Sequence, residues 1–547
     1  MTSIFDLKTS VNELSSANQG TSRLTYDQIA PTRDVTSGNF PNGAIYIKWQ
    51  VSGEKWWIPA RSYLRMRCRL TRGDGNPFTV SDNVAPSMNL MANLFQNAEL
   101  RINDKTVSRI PNYVSQIEAL EQRLSKSSAQ MNGLYASTNF MQSSFGERQA
   151  QICSDGYILN SNLSSRDSVP LVGLADNAGN QLAVGDTIAY ASATGVVTFV
   201  VASGADVRQI FKAGDIIREG NVLIEVLGGA SALTLNCKIN ESADIGAKNI
   251  NTFSLLRKVT TARNIQDFEL TWTPCLSLFK LNHAMPSGKY ELVLNPFPQS
   301  VYQLQAIESR NVADFKSSVN DPAIVSNNDD KKVRFNVIDM YLYCNTVDGP
   351  RADNMSYLLD LNQTSCQQET VKNASFSQRN YDISPSTYAL TVAFQDGRCF
   401  NDTRIPSSIF KCYTNNYAPN KELDLNRMYI SYAGMQRPSP DADPSFNTGV
   451  DRTVQRYVDT MIENGAYYDS GGAETIQEYH DRGSYYYFSW AKDGTDRSTR
   501  VAVHAGFDAV QFTDVDNANC LLFAHSKQVG KITVQDGMVT DVAIEDA

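Results

Sequence analysis

Four histidines, His283, His480, His504 and His525, are the side chains best suited to proton transfer or metal ligation near neutral pH. None stands in an H-E-x-x-H frame or has a second His at ligand spacing. Cys520 lies five residues before His525, which puts the two on opposite faces of a strand and so in structural roles. The acidic pairs Asp441/Asp443 and Asp514/Asp516, the latter followed by Asn517, carry oxygens for a hard cation. Neither has the ligand spacing of a helix–loop–helix calcium loop, so both read as solvated loops. Glycosidic cleavage needs two carboxylates with no fixed sequence spacing, so motif searching does not test for it. The nine cysteines are scattered, odd in number and never spaced C-x-x-C, which points to small buried hydrophobes and not to zinc or disulfides. The residues therefore predict no catalytic, cofactor or metal site. One basic stripe remains, Arg65, Arg67 and Arg69, and on a chain of net charge −9 its natural partners are carboxylates on a neighbouring strand, subunit or domain.

The elements that would position these groups are strands. Ile45, Ile47, Trp49 and Val51 alternate with polar residues, as do Leu64, Met66 and Cys68 between the arginines. The same period of two recurs in Phe268–Leu270–Trp272, Tyr290–Leu292–Leu294, Val333–Phe335–Val337, Tyr388–Leu390–Val392–Phe394 and Val501–Val503–Ala505. KITVQDGMVTDV reads as a hairpin turning at Asp536-Gly537. Two segments have helical spacing. One carries Tyr113, Ile117, Leu120 and Leu124 on one stripe, with Ser115 and Glu118 at capping-box spacing. The other carries Val454, Tyr457, Val458, Met461 and Ile462, with Asp451 as N-cap and Gly465 as stop. Both stripes are expected to face a core.

A chain of 547 residues is too long for one core at ~150 residues per domain. The acidic balance argues against a protein built to grip phosphate backbones. The first residues lack a basic stretch followed by an apolar one, and no window reads as a membrane span. The order of elements repeats. Ile58-Pro59 with the strand after it, a helix, FELTWT, KYELVL and FNVIDMYLY are echoed by Ile405-Pro406, a second helix, YYYFSW, TRVAVH and NCLLFAH. The echo predicts two β-domains of one plan, with the two Ile-Pro pairs opening equivalent strands. Between helix and aromatic strand the first copy holds more than a hundred extra residues, rich in Gly, Ala and Val, which read as a β-module set into a loop.

GEKWWIPARSYLRMRCRL, NLFQNAELRINDKTV, FELTWTPCLSLFKLNHAMPSGKYELVL and ANCLLFAHSKQVGKITVQDGMVTDV resemble the double jelly-roll major capsid proteins, most of all those of virophages and polinton-like viruses. The resemblance spans nearly all the chain except the insert. It implies an all-β fold of two tandem eight-stranded jelly rolls with a few short helices. The expected divisions are an N-terminal arm over 1–40, a first jelly roll over 41–156 plus 263–365, an inserted surface module over 157–262 and a second jelly roll over 366–547. It further implies a non-enzymatic capsid subunit of the virion, assembled inside the host cell. Its partners would be itself, as a pseudo-hexameric homotrimer beside neighbouring capsomers, and penton and minor capsid proteins, with no sequence-specific nucleic-acid binding. The competing reading is a carbohydrate-binding or carbohydrate-cleaving β-sandwich, against which the missing export signal and disulfides count.

Overall fold

A computed structural model describes residues 24–36, 40, 42–72, 84–86, 90–127, 130, 148–152, 158–162, 167–191, 193–211, 215–220, 222–239, 244–257, 268–281, 283–297, 307–309, 333–371, 377–396, 425–437, 453–466, 476, 479, 485–490, 498–507 and 518–546. In the first half, eight strands make two four-stranded antiparallel sheets. They are β1 (Leu24–Ile29), β2 (Ile45–Val51), β3 (Tyr63–Arg72), β4 (Phe95–Ile102), β5 (Lys105–Ile110), β6 (Phe268–Trp272), β7 (Gly288–Pro296) and β8 (Val333–Asp348). The sheets run β1-β8-β3-β6 and β2-β7-β4-β5, and a short strand, Lys55–Trp57, also pairs with β8. The second half supplies β9 (Ser356–Val371), β10 (Ser377–Asp382), β11 (Thr387–Asp396), β12 (Leu425–Tyr432), β13 (Met435–Arg437), β14 (Tyr485–Ser489), β15 (Arg500–Phe507) and β16 (Ala518–Gln535). Their sheets run β9-β16-β11-β14 and β10-β15-β12-β13. Adding eight to every label of the first barrel gives the second. This interleaved order is the jelly roll, written twice.

The alternation read from the sequence sets the faces. Ile45, Ile47, Trp49 and Val51 are buried and the residues between them exposed. They join Leu64, Met66 and Cys68 of β3 and Leu292 and Leu294 of β7 in one core. Phe95 of β4 stacks on Trp272 of β6 at 5.5 Å, locking sheet to sheet. In β8 the register shifts between Val337 and Asp339, a bulge that lets Phe335 and Val337 and then Met340 and Leu342 all face inward. The second barrel has its own core, which includes Leu390, Val392, Phe394, Val501, Val503, Cys520, Leu522 and Ala524.

Two helices hold equivalent places. α1 (Val114–Ser125) lies between β5 and β6, and α2 (Thr453–Asn464) between β13 and β14. Ile117 and Leu120 of α1 are buried as expected. The capping box is not formed: the helix begins at Val114 after Tyr113, and Ser115, inside its first turn, bonds Asn93 instead. In α2 the expected stripe is half wrong. Met461 is buried, but Val454 and Ile462 are 59% and 42% exposed, and the inward face carries Arg456 and Thr460. Gly465 ends α2 at φ +83°, a backbone geometry open to glycine, as the stop signal required.

The Ile-Pro echo does not survive. Ile58-Pro59 sits between β2 and β3, with Pro59 opening a 3-10 turn before the strand. Ile405-Pro406 falls between β11 and β12 in chain order, a different connection, and lies outside the described residues. The positional counterpart of Ile58-Pro59 is Ile383-Ser384-Pro385, between β10 and β11, where Ile383 is again buried. One residue separates Ile from Pro there, so a search for adjacent Ile-Pro passes it by. Two expected boundaries also shift. Residues 24–29, read as part of an arm, are β1 and pair with β8 from Leu24↔Val347 to Ile29↔Leu342. The second barrel opens at Ser356 and not at 366.

Between α1 and β6, an eight-stranded sheet runs from Asp167–Pro170 to Ser254–Arg257, and its strands pair only with one another among the described residues. A hairpin joining Arg148–Ile152 to Ile158–Asn162 straddles the expected start of the insert. The sheet encloses a separate apolar cluster that includes Ile188, Val197, Phe199, Ile217, Ile224, Leu235 and Leu255. Its first and last strands are partners, Asp167↔Arg257, so entry and exit lie side by side. Replacing residues 167–257 with a short Gly/Ser link is therefore expected to leave both barrels folded. Calorimetry of the excised chain checks this, and loss of the main cooperative transition would show that the module supports the barrels.

Candidate functional site at the inter-barrel interface

The second barrel meets the first through the outer face of its β9-β16-β11-β14 sheet. Along β16, Cys520, Leu522 and Ala524 point into their own barrel, while Leu521 and Phe523 join the core cluster of the first. A strand buried on both faces reads as a continuous apolar run, as NCLLFA does. Cys520 and His525 accordingly face opposite ways. On the first barrel's side stand α1, the 3-10 turn Ser277–Lys280 and the hairpin of β4 and β5. Backbone and side chains bridge the seam. Val539 N–H donates to Ser287 O at 2.8 Å, Gln363 Nε2 to Arg109 O at 3.0 Å and Asn464 Nδ2 to Leu124 O at 2.8 Å. Val539 belongs to β17 (Met538–Asp546), which folds back on β16 across Asp536-Gly537, both at positive φ, as the hairpin signal predicted.

A polar chain runs through this seam. Lys280 pairs with Glu121 of α1, whose Oε1 accepts from Thr364 Oγ1 of β9 at 2.7 Å. Thr364 Oγ1 lies 3.3 Å from His525 Nδ1, and His525 Nε2 lies 2.8 Å from Thr391 Oγ1 of β11. Thr364 and His525 are opposed in the register of β9 and β16. Burial pushes the imidazole down to about 3, and the Lys280 ammonium adds to the effect, so His525 is neutral at pH 7. Burial works against the Lys280 ammonium too, but Glu121 outweighs it and the Lys280 pKa is raised. Burial drives the Glu118 carboxyl of α1 above the usual carboxylate range, and the Cys275 thiol well above its own. A neutral His between two threonine hydroxyls, with no aligned nucleophile–base–carboxylate series, has the geometry of a structural bridge and not of a catalytic triad.

The other candidates are dispersed. His504 of β15 stacks on Tyr429 of β12 at 4.4 Å, and His283 lies in the connection before β7. His480, Asp441, Asp443, Asp514, Asp516 and Asn517 lie outside the described residues. Among the described residues no group of three His, Cys, Asp or Glu side chains could hold a metal ion. Cys68, Cys237, Cys275, Cys344 and Cys520 are buried free thiols. Two arginines of the stripe meet carboxylates on neighbouring strands: Arg65 bonds Glu269 of β6 at 2.6 Å and Asp339 of β8 at 3.4 Å, and Arg67 lies 3.9 Å from Asp339. What sequence reading missed was the seam itself. Thr364, Thr391 and His525 have the polarity of a solvated sheet face and are buried by a second domain.

Strand order and seam together define the class: two jelly rolls of one topology, fused side by side, a double jelly roll. No family model matches the chain, and no curated protein matches it. Among solved structures, it is similar to the Sputnik virophage structure determined by cryo-EM, at 11% identity and TM-score 0.49 over 97% of this chain and 90% of that one. It is also similar to the mavirus major capsid protein, at 10% identity and TM-score 0.42 over 100% of this chain and 96% of that one. The Faustovirus major capsid protein gives 9% identity and TM-score 0.43, with coverage of 94% and 91%.

Proposed function

We propose that the chain is a major capsid protein whose homotrimers form pseudo-hexagonal capsomers that tile an icosahedral shell around a DNA genome. The observation that carries this reading is the repeated strand order joined through a buried seam. A rigid pair of like barrels, taken three times about an axis, presents six similar edges, and a six-edged outline tiles a hexagonal lattice. A single barrel would do this only as a hexamer. The role is structural and not enzymatic, a reading supported by the chain Lys280, Glu121, Thr364, His525 and Thr391, which joins the two domains. The chain's partners are its own copies, neighbouring capsomers, and penton and minor capsid proteins, and its place is the virion shell.

Closed assemblies of this kind bury upwards of ~2,000 Å² per contact, so the trimer should persist at micromolar concentration. Gel filtration with light scattering is expected to give three chains per particle, and negative-stain images a hexagonal outline. A stable monomer under those conditions would sink the proposal.

A further inference from the structure

The seam within one chain is a template for a second contact. There the outer face of β9-β16-β11-β14 meets α1 and the β4–β5 hairpin of the first barrel. Each of these two surfaces has a counterpart in the other barrel. Tyr388, five residues after Ile383, has its ring centroid 6.3 Å from that of His525 in the seam. Tyr63, five residues after Ile58, holds the same place on β1-β8-β3-β6, where it stacks on Tyr343 at 5.2 Å and meets Tyr26 at 6.2 Å. Thr364, opposed to His525, is buried where the barrels dock, whereas Gln28, opposed to Tyr343, is exposed. Beside it Tyr26 is 55% exposed and Leu24 47%.

The covering elements repeat as well. The β4–β5 turn passes through Asn103 and Asp104 at φ +48° and +64°, and the β12–β13 turn through Ala433 and Gly434 at φ +48° and +78°. Lys105, directly after the first turn, pairs with Asp541 of β17, while Met435, directly after the second, is 57% exposed. With β9 packed across it, α1 has nine of its twelve residues buried. Among the described side chains of α2 only Arg456, Thr460 and Met461 are buried, and Val454 and Ile462 stand in solvent. Charge is complementary: Arg65, Arg67 and Arg69 outnumber Glu269 and Asp339 on the open sheet face, and α2 exposes Asp459 and Glu463. We propose that the outer face of β1-β8-β3-β6 is a docking surface for a second copy of this chain, whose α2 and β12–β13 hairpin cover it as α1 and the β4–β5 hairpin cover the second barrel. Leu24, Tyr26 and the Tyr63–Tyr343 stack meet Val454, Ile462 and Met435 of that copy, and apolar surface exposed on both sides leaves water together. Lys55–Trp57 pairs with the end of β8 as β17 pairs with the end of β16, so Met435 comes to rest beside it. Two different surfaces meet, so the contact is heterologous and closes a ring when repeated. The inference rests on the homotrimer reading and names the residues that join its copies.

The test is photo-crosslinking of the full-length chain with Met435 replaced by p-benzoylphenylalanine, mapped by mass spectrometry on assemblies of mixed light and heavy copies. Crosslinks between copies to residues 24–29 or 53–57 are expected. Met435→Asp with Ile462→Asp, both at positions exposed in the single chain, should weaken self-association about a hundredfold, read by light scattering across a dilution series. Tyr26→Asp, on the opposite surface, should do the same independently, so a folding failure of either variant leaves the other to decide. Leu227→Asp, comparably exposed on the inserted sheet, should leave association unchanged. Trimers whose crosslinks fall elsewhere or only within one chain, or whose association is indifferent to substitution on both surfaces, would overturn this contact and leave the homotrimer reading standing. A native chain that stays monomeric would overturn both.

Discussion

Acidification is expected to loosen the seam through His525. Its folded pKa of about 3 lies below the ordinary ~6.5, so the unfolded chain takes up a proton that the folded one refuses. The sign follows: this stabilisation is complete above about pH 6.5 and is lost as pH falls toward about 3. Each pH unit in that window removes about 1.4 kcal/mol, and the whole window roughly 4 to 5 kcal/mol. The groups facing the ring give no relief. Thr364 and Thr391 are neutral, Tyr388 and Tyr487 flank it, Lys280 repels its cation, and Glu121 is engaged with Lys280 and Thr364. Glu118 acts in the opposite sense. Its raised pKa means stability falls as pH rises from the usual carboxylate value through the folded one. Guanidinium unfolding of the native chain and of His525→Gln, compared at several pH values, isolates the histidine, because glutamine keeps hydrogen-bonding capacity without titrating. The native chain should lose the larger share of its stability on acidification. Parallel pH profiles for the two proteins would refute the assignment.

Truncating Trp57 should be the most damaging single change in the first barrel. The side chain is fully buried, with ring centroids of Trp49 at 5.1 Å, Phe279 at 5.6 Å and Tyr290 at 4.7 Å. Its Nε1 donates to Ser62 Oγ at 2.9 Å, and that hydroxyl donates to Ile58 O while accepting from Asn345 N–H, each at 2.9 Å. One residue thus joins the aromatic core to the hydrogen bonds that seat the entry to β3. Trp57→Ala should cost ~3–5 kcal/mol from lost contacts and the cavity left behind. Folded domains hold only ~5–15 kcal/mol in all, so the variant should melt roughly 10 °C lower or fail to accumulate. Trp57→Phe, which keeps most of the apolar volume and loses the donor, should fall between. Leu227→Ala, at a half-exposed position of the inserted sheet, should stay within about 0.5 kcal/mol of the parent. Three separate cores make a single two-state fit inappropriate, so limited proteolysis across the melt should report which unit opens first. A Trp57→Ala chain that melts with the parent would show that the aromatic cluster is not the keystone described here.

The strands were legible because alternation is local: each residue's face depends on its neighbours two places away, and no distant contact is needed to read Ile45, Ile47, Trp49 and Val51. The repeated order was legible from β6, β7 and β8 onward for the same reason, since FELTW, KYELVL and FNVIDMYLY keep their counterparts in β14, β15 and β16. Helix α2 was harder. Its apolar stripe marked the period but not the buried side, because Arg456 and Thr460 meet groups that the fold brings near and that the helix does not encode. The Ile-Pro echo failed because two residues in a row carry too little information to identify a connection.

The sequence by itself determined the element types, two barrel plans, a foreign module set into the first of them and the want of a catalytic motif. Tertiary structure alone decided which surface polar residues became interior ones. Thr364, Thr391 and His525 lie on a sheet face that a lone barrel would wet, and Glu118 and Lys280 belong to a different domain more than eighty residues away in sequence. The burial of Thr364, Thr391, His525 and Glu118, and the depressed histidine and raised carboxyl that follow from it, come from docking one barrel on the other. Docking depends on the shape and chemistry of two assembled surfaces, and no spacing along the chain records it.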